Sequence, residues 1–562
     1  MISSLSILAV ATLLRTYKLG LKPLHHDEGV NGFFLTKLIR EGIYQYDPGN
    51  YHGPTIYYFA RAVTFLLGLN TIAIRLVTVM FGVATVWLAL LLRRYIGTIG
   101  ALTAAGLIAI SPGAVYLSRY FIHETLVVFF TFGIVVALLK YHESEPPESP
   151  NTTSGIIAII ASIVLVASSF AAVYRHQFFR IELLLIMVSA IVVVQSLWHH
   201  DGARSIYVVL AAISTALLFA SKETALASVS VLLLSLISTS VYLRLKRNPA
   251  RELRKTRRGG KRKDPRKVDG WLHSTIERLG GPKRIGFMFI VSLAIFVFVN
   301  LLFYSSFFTY PKGVADSLQT YMIWARTGKK EHVHGLTQHF TWLMAMESPA
   351  LMLGIVGAFV SVIRANSRFA LFAAQWGFGL LVAYSIVPYK TPWLALNFII
   401  PLAIAGGYAV NEFYSWDKRE LRFVSFVLAA VVVVSGYQTI KLNFFHYDDE
   451  EYVYVYGHTY RGFLPMVDEI QRIGQKTGQN NEIEIAVFSP DYWPLPWYIR
   501  DYNKVGYFNQ PSQTNSALVI INETQEAELY STLPGRYRRV SDYPLRPGVV
   551  LVLYVRQDIK LD

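Results

Sequence analysis

From its first residues to about residue 441, the chain alternates apolar runs with short polar breaks. Runs such as Leu126–Leu139, Ile156–Val173, Ile206–Ala220 and Phe287–Phe303 suit bilayer spans, each of which needs roughly 20 residues of helix. The alternation predicts spans near 72–92, 99–117, 124–140, 155–173, 181–198, 204–221, 224–243, 285–304, 348–363, 369–387, 392–411 and 421–441. Met1 to Leu14 is a further apolar stretch of marginal length. It has no basic start and no small-residue cleavage site, so it reads as a shortened first span rather than a removable signal peptide. The total is about thirteen spans. Beyond them the alternation stops. Phe463–Lys476 reads as helix and Ile483–Phe488, Ala517–Ile521 and Val549–Val555 as strands, separated by Pro, Gly and Asn. The expected architecture is an all-α polytopic membrane protein over 1–441 with a small α/β domain over 442–562.

Charge sorts the breaks into two sides. The segment Arg244–Arg284 holds 16 Lys or Arg against 4 Asp or Glu, a net +12 out of +16 for the whole chain. So local an excess argues against a nucleic-acid surface and for the cytoplasmic side of a membrane, with anionic lipid headgroups as a second use. Counting spans outward from this loop at 244–284 puts Arg93-Arg94, 141–154, 198–204, 364–368 and 417–422 inside. It puts 19–71, 118–123, 221–223, 305–347, Tyr389-Lys390 and the tail outside. Nearly every break with chemical character falls on the outer side.

Composition adds two exclusions. At 53% hydrophobic residues over 562 and a mean hydropathy of +0.37, the chain is not a soluble globular protein. It has no cysteine, so disulfides and thiolate catalysis are excluded and any metal must use His, Asp or Glu. Nor does a Gly-rich phosphate loop follow any predicted strand, which argues against a cytosolic nucleotide-sugar enzyme.

The densest chemistry is in the first outer loop. His25-His26-Asp27-Glu28 precedes a stretch, Glu28 to Ile43, that reads as an amphipathic interfacial helix. Asp27 is either its N-cap, a general base for a hydroxyl, or a ligand with a histidine for a divalent cation such as Mg or Mn. Arg119, Lys222 and Lys390 sit at outer span ends, where basic side chains also snorkel. Glu124 and Glu223 each open a span, a position the helix dipole favours for any carboxylate. The loop 305–347 carries Trp324, Arg326, His332, His334 and His339, in a spacing that fits no standard zinc site.

The acidic pair in this loop, the turn Tyr51-His52-Gly53-Pro54, and Lys390-Thr391-Pro392-Trp393 together resemble the GT-C glycosyltransferases. Protein O-mannosyltransferases, lipid A aminoarabinose transferases and oligosaccharyltransferases belong there, as does the archaeal branch of flippase activity-associated proteins. The resemblance covers roughly 1–441. It implies inverting transfer of a sugar from a polyprenyl phosphate to a protein, glycan or lipid acceptor at the extracytoplasmic face of the cell membrane. It aligns Asp27 with the family's base or metal ligand and Glu28 with its partner. Such a reaction needs cations for the departing phosphate, which Arg119, Lys222 and Lys390 could supply. His26, His52, Glu124, Tyr389 and Trp393 complete the expected substrate set, and Asp27 with His334 the expected metal pair. The rival is a flippase component or transporter without chemistry. Transport sites lie near mid-membrane, whereas these residues gather at outer loop ends.

Overall fold

The computed structural model describes residues 2–50, 52–145, 147, 151–175, 179–246, 280–324, 326, 333–414 and 418–560. Most of the basic loop at 244–284, and His332, lie outside the described residues. Among the described residues nine helices are long and apolar enough to cross a bilayer, and eleven if each of two bent pairs counts once. The bent pairs are Thr98–Ile110 with Pro112–Ser118, at 58°, and Gln338–Met346 with Ser348–Arg364, at 114°. Each second half has a proline in its first turn, where a missing amide proton costs no helical bond. The two breaks are joined. Glu347 Oε1 accepts from Ser111 Oγ at 2.9 Å and from the Gly113 amide at 2.6 Å.

The apolar run Phe179–Phe219 is 41 residues long, but it reverses at Gly202, whose φ is +63°. The His200 ring meets Phe287 near the start of the helix Pro282–Tyr304, and Tyr304 at that helix's end donates to the Phe219 carbonyl. On the other side, His200 meets the Asn151 carbonyl at the start of Thr152–Tyr174, while Ile186 packs with Ala172 and Val173 at its end. The run therefore supplies two crossings, which correspond to the expected 181–198 and 204–221. The remaining expected span is α1 (Ile2–Thr16), about 22 Å long at 1.5 Å per residue and shorter than the hydrocarbon core. Two buried arginines satisfy the carbonyls that end it. Arg119 donates to those of Leu14, Tyr17 and Lys18, and Arg15 ties Ala11 to Ile108 and Ala109.

The amphipathic helix α2 runs His26–Glu41, two residues earlier than its sequence pattern suggests, and is capped by His25 instead of Asp27. His25 Nδ1 accepts from the Asp27 amide, and Glu28 accepts from the His25 amide in return. This reciprocal pair satisfies two orphan donors. A left-handed Gly42 closes the helix. α3 (Thr55–Leu67) and α4 (Thr71–Leu90) follow.

The tail carries a five-stranded sheet of β1 (Ile485–Phe488), β2 (Val505–Phe508), β3 (Leu518–Asn522), β4 (Tyr537–Arg546) and β5 (Val549–Arg556), in the order β2-β1-β3-β5-β4. β2, β1 and β3 are parallel; β5 is antiparallel to both β3 and β4. Alternate residues divide between two cores. Val487, Ile520 and Leu553 pack with Met466, Ile470 and Ile473 of the helix Leu464–Lys476, while Phe488, Ile521 and Val552 pack with Leu529 and Leu533. β2 and β4, absent from the sequence expectation, are the two edge strands.

The tail is docked on the first loop. A methyl group on Gly29 would collide with Pro494, and one on Gly32 would stand 2.5 Å from the Trp497 ring. Trp497 Nε1 donates to Thr71 Oγ1 at 3.2 Å, and the Leu24 amide donates to the Tyr498 hydroxyl at 2.8 Å.

Candidate functional site

Five breaks in the helical region and the edge of the tail meet at one end of the bundle. They enclose a cavity of about 830 Å³ whose lining includes His26, Asp27, His52, Glu124, Lys222, Glu223, Tyr389, Trp393 and, from the tail, Tyr456 and Arg546. The opposite end is marked by contacts of Arg204 with the Tyr141 carbonyl and Arg284 with Asp201.

The His52-Gly53-Pro54 turn builds one wall. The Gly53 amide donates to the Ser221 carbonyl at 3.0 Å and the Thr55 amide to the Ala220 carbonyl at 3.2 Å. A side chain on Gly53 would strike that Ala220 carbonyl, so this approach requires glycine. It sets His52 Nδ1 3.3 Å from Glu223 Oε2. Next to them Lys222 is ion-paired with Glu124, both buried. Burial alone would push the Lys222 ammonium down; Glu124 and Glu223 outweigh it and hold its pKa above the usual range. His123 bonds the Gly53 carbonyl through Nε2 at 3.1 Å, with its ring centroid 4.9 Å from that of His52.

Asp27 faces this wall from the first turn of α2. Its side chain is 40% accessible, and Oδ2 is 3.9 Å from His25 Nδ1. Burial acts to raise its pKa, but His25, His26, His52 and Lys222 lower it further, so the group stays a carboxylate. His26 is different. Burial, aided by Arg546 and against the pull of Asp27, takes its pKa down to about 4. Arg546 donates to His26 Nδ1 and pairs with Asp491, so the neutral imidazole carries its proton on Nε2. Trp393 stands 6.2 Å from the His25 ring and 6.0 Å from that of Tyr456.

Four expected site residues do not line the cavity. Glu28 is fully buried. Its carboxylate takes Arg75 bidentately, at 2.7 Å to each oxygen, and the amides of Phe121 and His25 at 2.9 Å each. These four bonds give it a structural position in place of the catalytic one expected. Arg119 is spent on the carbonyls that end α1. Lys390 Nζ donates to the Val387 carbonyl at 2.6 Å and that of His334 at 3.2 Å, closing the end of the helix Arg368–Ile386. His334 packs on Trp342 with ring centroids 5.3 Å apart and is not brought to Asp27. Among the described residues no three His, Asp or Glu converge as metal ligands. Tyr57 behind the cavity wall is buried, and its hydroxyl donates to Asn31 Oδ1 at 2.9 Å.

Sequence reasoning missed Asn31 and Arg546. Asn31 follows Asp27 by four residues, one turn along the same helix face, so that spacing was a usable signal. Arg546 had none, because its place depends on the register of the tail's sheet.

Residues 51–149 match the family described as dolichyl-phosphate-mannose-protein mannosyltransferase. No curated protein sequence matches the chain. Among solved structures, apo ArnT from Cupriavidus metallidurans superposes with a TM-score of 0.58 and 14% identity, over 98% of this chain and 97% of that one. ArnT bound to undecaprenyl phosphate gives the same figures. The apo oligosaccharyltransferase of Archaeoglobus fulgidus superposes at 0.52 and 12% identity, over 90% of this chain and 64% of that one. The chain has the fold of the GT-C glycosyltransferases and resembles ArnT over nearly its whole length. The family match covers under a fifth of the chain, and the superpositions show a shared fold, that of a multi-pass membrane protein.

Proposed function

We propose that this chain transfers a sugar, with inversion, from a polyprenyl phosphate carrier to an acceptor hydroxyl at the extracytoplasmic membrane face. The observation that carries the reading is that the Asp27 carboxylate and the cations Lys222 and Arg546 line one cavity at the end of the bundle. The fold match to ArnT with undecaprenyl phosphate bound supports the choice of donor. The net +12 of Arg244–Arg284 supports the orientation, by the positive-inside rule.

In the proposed reaction Asp27, on one side of the sugar, takes the proton of the acceptor hydroxyl as its oxygen forms the new bond to the anomeric carbon. The bond from that carbon to the phosphate oxygen breaks on the opposite face and its electron pair goes to the phosphate. Lys222 stabilises the charge that develops there. His26, kept neutral, offers a hydrogen-bond donor without adding a cation beside Asp27. Tyr389 and Trp393 border the space for the sugar ring. Clustering of these groups at the end of the helices, away from mid-membrane, favours this reading over a transporter.

The test is transfer from a panel of radiolabelled polyprenyl phosphate sugars by the purified protein in nanodiscs. Asp27→Asn is expected to lower turnover about 10²- to 10⁴-fold, the range for losing a general base, with folding intact. Wild-type turnover in that variant removes Asp27 from the chemistry.

A further inference from the structure

The parallel strands β2, β1 and β3 end side by side, with Phe488 opposite Phe508 and Ile521. The pairing of Asn522 with Leu551 in β5, and of Val549 with Arg546, brings Arg546 to the same edge. In open α/β sheets ligands bind outside the carboxyl ends of parallel strands. Here that edge carries an unusual set of side chains. Asp491, Tyr492 and Trp493 follow β1, and Tyr507 stands near the end of β2. Trp493 and Tyr492 have ring centroids 5.2 Å apart at 40°, and Tyr492 and Tyr507 4.7 Å apart at 36°. All three residues are half-buried, and Tyr492 and Tyr507 rest with part of their surface on the core beneath the helix Leu464–Lys476. Trp493 also lies 6.5 Å from the His26 ring, so the row of rings begins at the cavity. Asp491, its side chain 47% accessible, and Arg546 form an ion pair beside that beginning.

We propose that this edge is a carbohydrate-binding surface and that the acceptor is a glycan laid across Trp493, Tyr492 and Tyr507. A sugar ring presents one apolar C–H face and a rim of hydroxyls. Adjacent aromatic faces match the first, and a carboxylate with a guanidinium beside them matches the second. A row of rings leading out of the cavity fits successive sugars of a chain whose terminal hydroxyl reaches Asp27. Its role as acceptor rests on the transferase reading above; the binding of sugar does not.

Saturation-transfer NMR on the full chain in nanodiscs, with cellohexaose and mannohexaose as probes, tests the surface directly. At least one hexaose is expected to bind wild type at millimolar concentration. Trp493→Ala and, separately, Tyr507→Leu are each expected to weaken it about tenfold. Trp493 packs on Phe33 of α2 at 5.6 Å, so its loss could disturb docking. Tyr507, whose ring neighbour is Tyr492, is away from that docking contact, and Leu at this position keeps an apolar side chain on the core it borders. Failure of wild type to bind either hexaose overturns the proposal, as does unchanged binding by the Tyr507→Leu variant. Binding of a peptide panel at this edge, with hexaoses excluded, also overturns it. The transferase reading fails separately, if Asp27→Asn leaves turnover unchanged, whatever the hexaoses do.

Discussion

Glu28 and Arg75 make the sharpest test of how this site is built. The pair has no exposed side-chain surface, and Glu28 accepts four hydrogen bonds, two from Arg75 and one each from the Phe121 and His25 amides. Glu28→Gln removes the counter-charge of a buried guanidinium and turns an amide donor toward groups that are themselves donors. Breaking a buried ion pair from one side costs about 3–5 kcal/mol, because the remaining charge stays desolvated. Arg75→Met should cost a similar amount. The double replacement by Met should recover most of the loss, since both charges then leave together. Urea unfolding of the three variants in matched nanodiscs measures the cycle. The pH dependence has a definite sign. Burial alone would raise the Glu28 pKa, but Arg75 and Lys22 lower it more. The stabilisation is thus complete above the ordinary carboxylate pKa and is lost as pH falls through the lower folded value. Glu28→Gln with unchanged unfolding and abolished transfer would refute the structural assignment and return Glu28 to the chemistry.

Gly32→Ala places a methyl group 2.5 Å from Trp497 and should destabilise tail docking by about 1–3 kcal/mol, read as faster proteolysis of the tail; an unchanged digestion rate counts against the docked arrangement. Lys222→Met should lower kcat/KM for the donor about 10²- to 10³-fold, with partial recovery in Lys222→Arg; equal values for Met and wild type would remove Lys222 from phosphate stabilisation. The His26 ring, with a pKa of about 4, should not titrate by NMR between pH 5 and 8. Its folded pKa lies below the unfolded one, so it contributes a loss of stability as pH falls from about 6.5 toward 4. A midpoint near 6.5 in the folded protein contradicts the buried, Arg546-bonded imidazole.

The helical region was legible because periodicity and charge report directly on the bilayer. The expected pairs 181–198 and 204–221 correspond to the two limbs of one continuous run, and Gly202 marks where it turns. The outer-side sorting brought His26, Asp27, His52, Glu124, Lys222, Tyr389 and Trp393 to one cavity because loops at the same end of a bundle have little room to separate. It could not distinguish cations facing the cavity from cations satisfying backbone. Arg119 and Lys390 have the same flanking pattern as Lys222, yet they bond carbonyls at helix ends. Adjacent residues also diverge. One step along α2 turns the side chain by about 100°, which separates the accessible Asp27 from the enclosed Glu28. Arg546 and the aromatic row depend on strand order in the tail, which short alternating segments do not encode by themselves.

The contact between Arg546 and His26 spans 520 positions of sequence, so its second partner is made only after the expected spans up to residue 441. The expected spans up to residue 441 are synthesised before β4, yet the cavity wall then still lacks its guanidinium. Completion of the cavity is thereby deferred until the tail's sheet has been made. A nascent chain truncated short of residue 546 should accumulate as a correctly inserted but incompetent product.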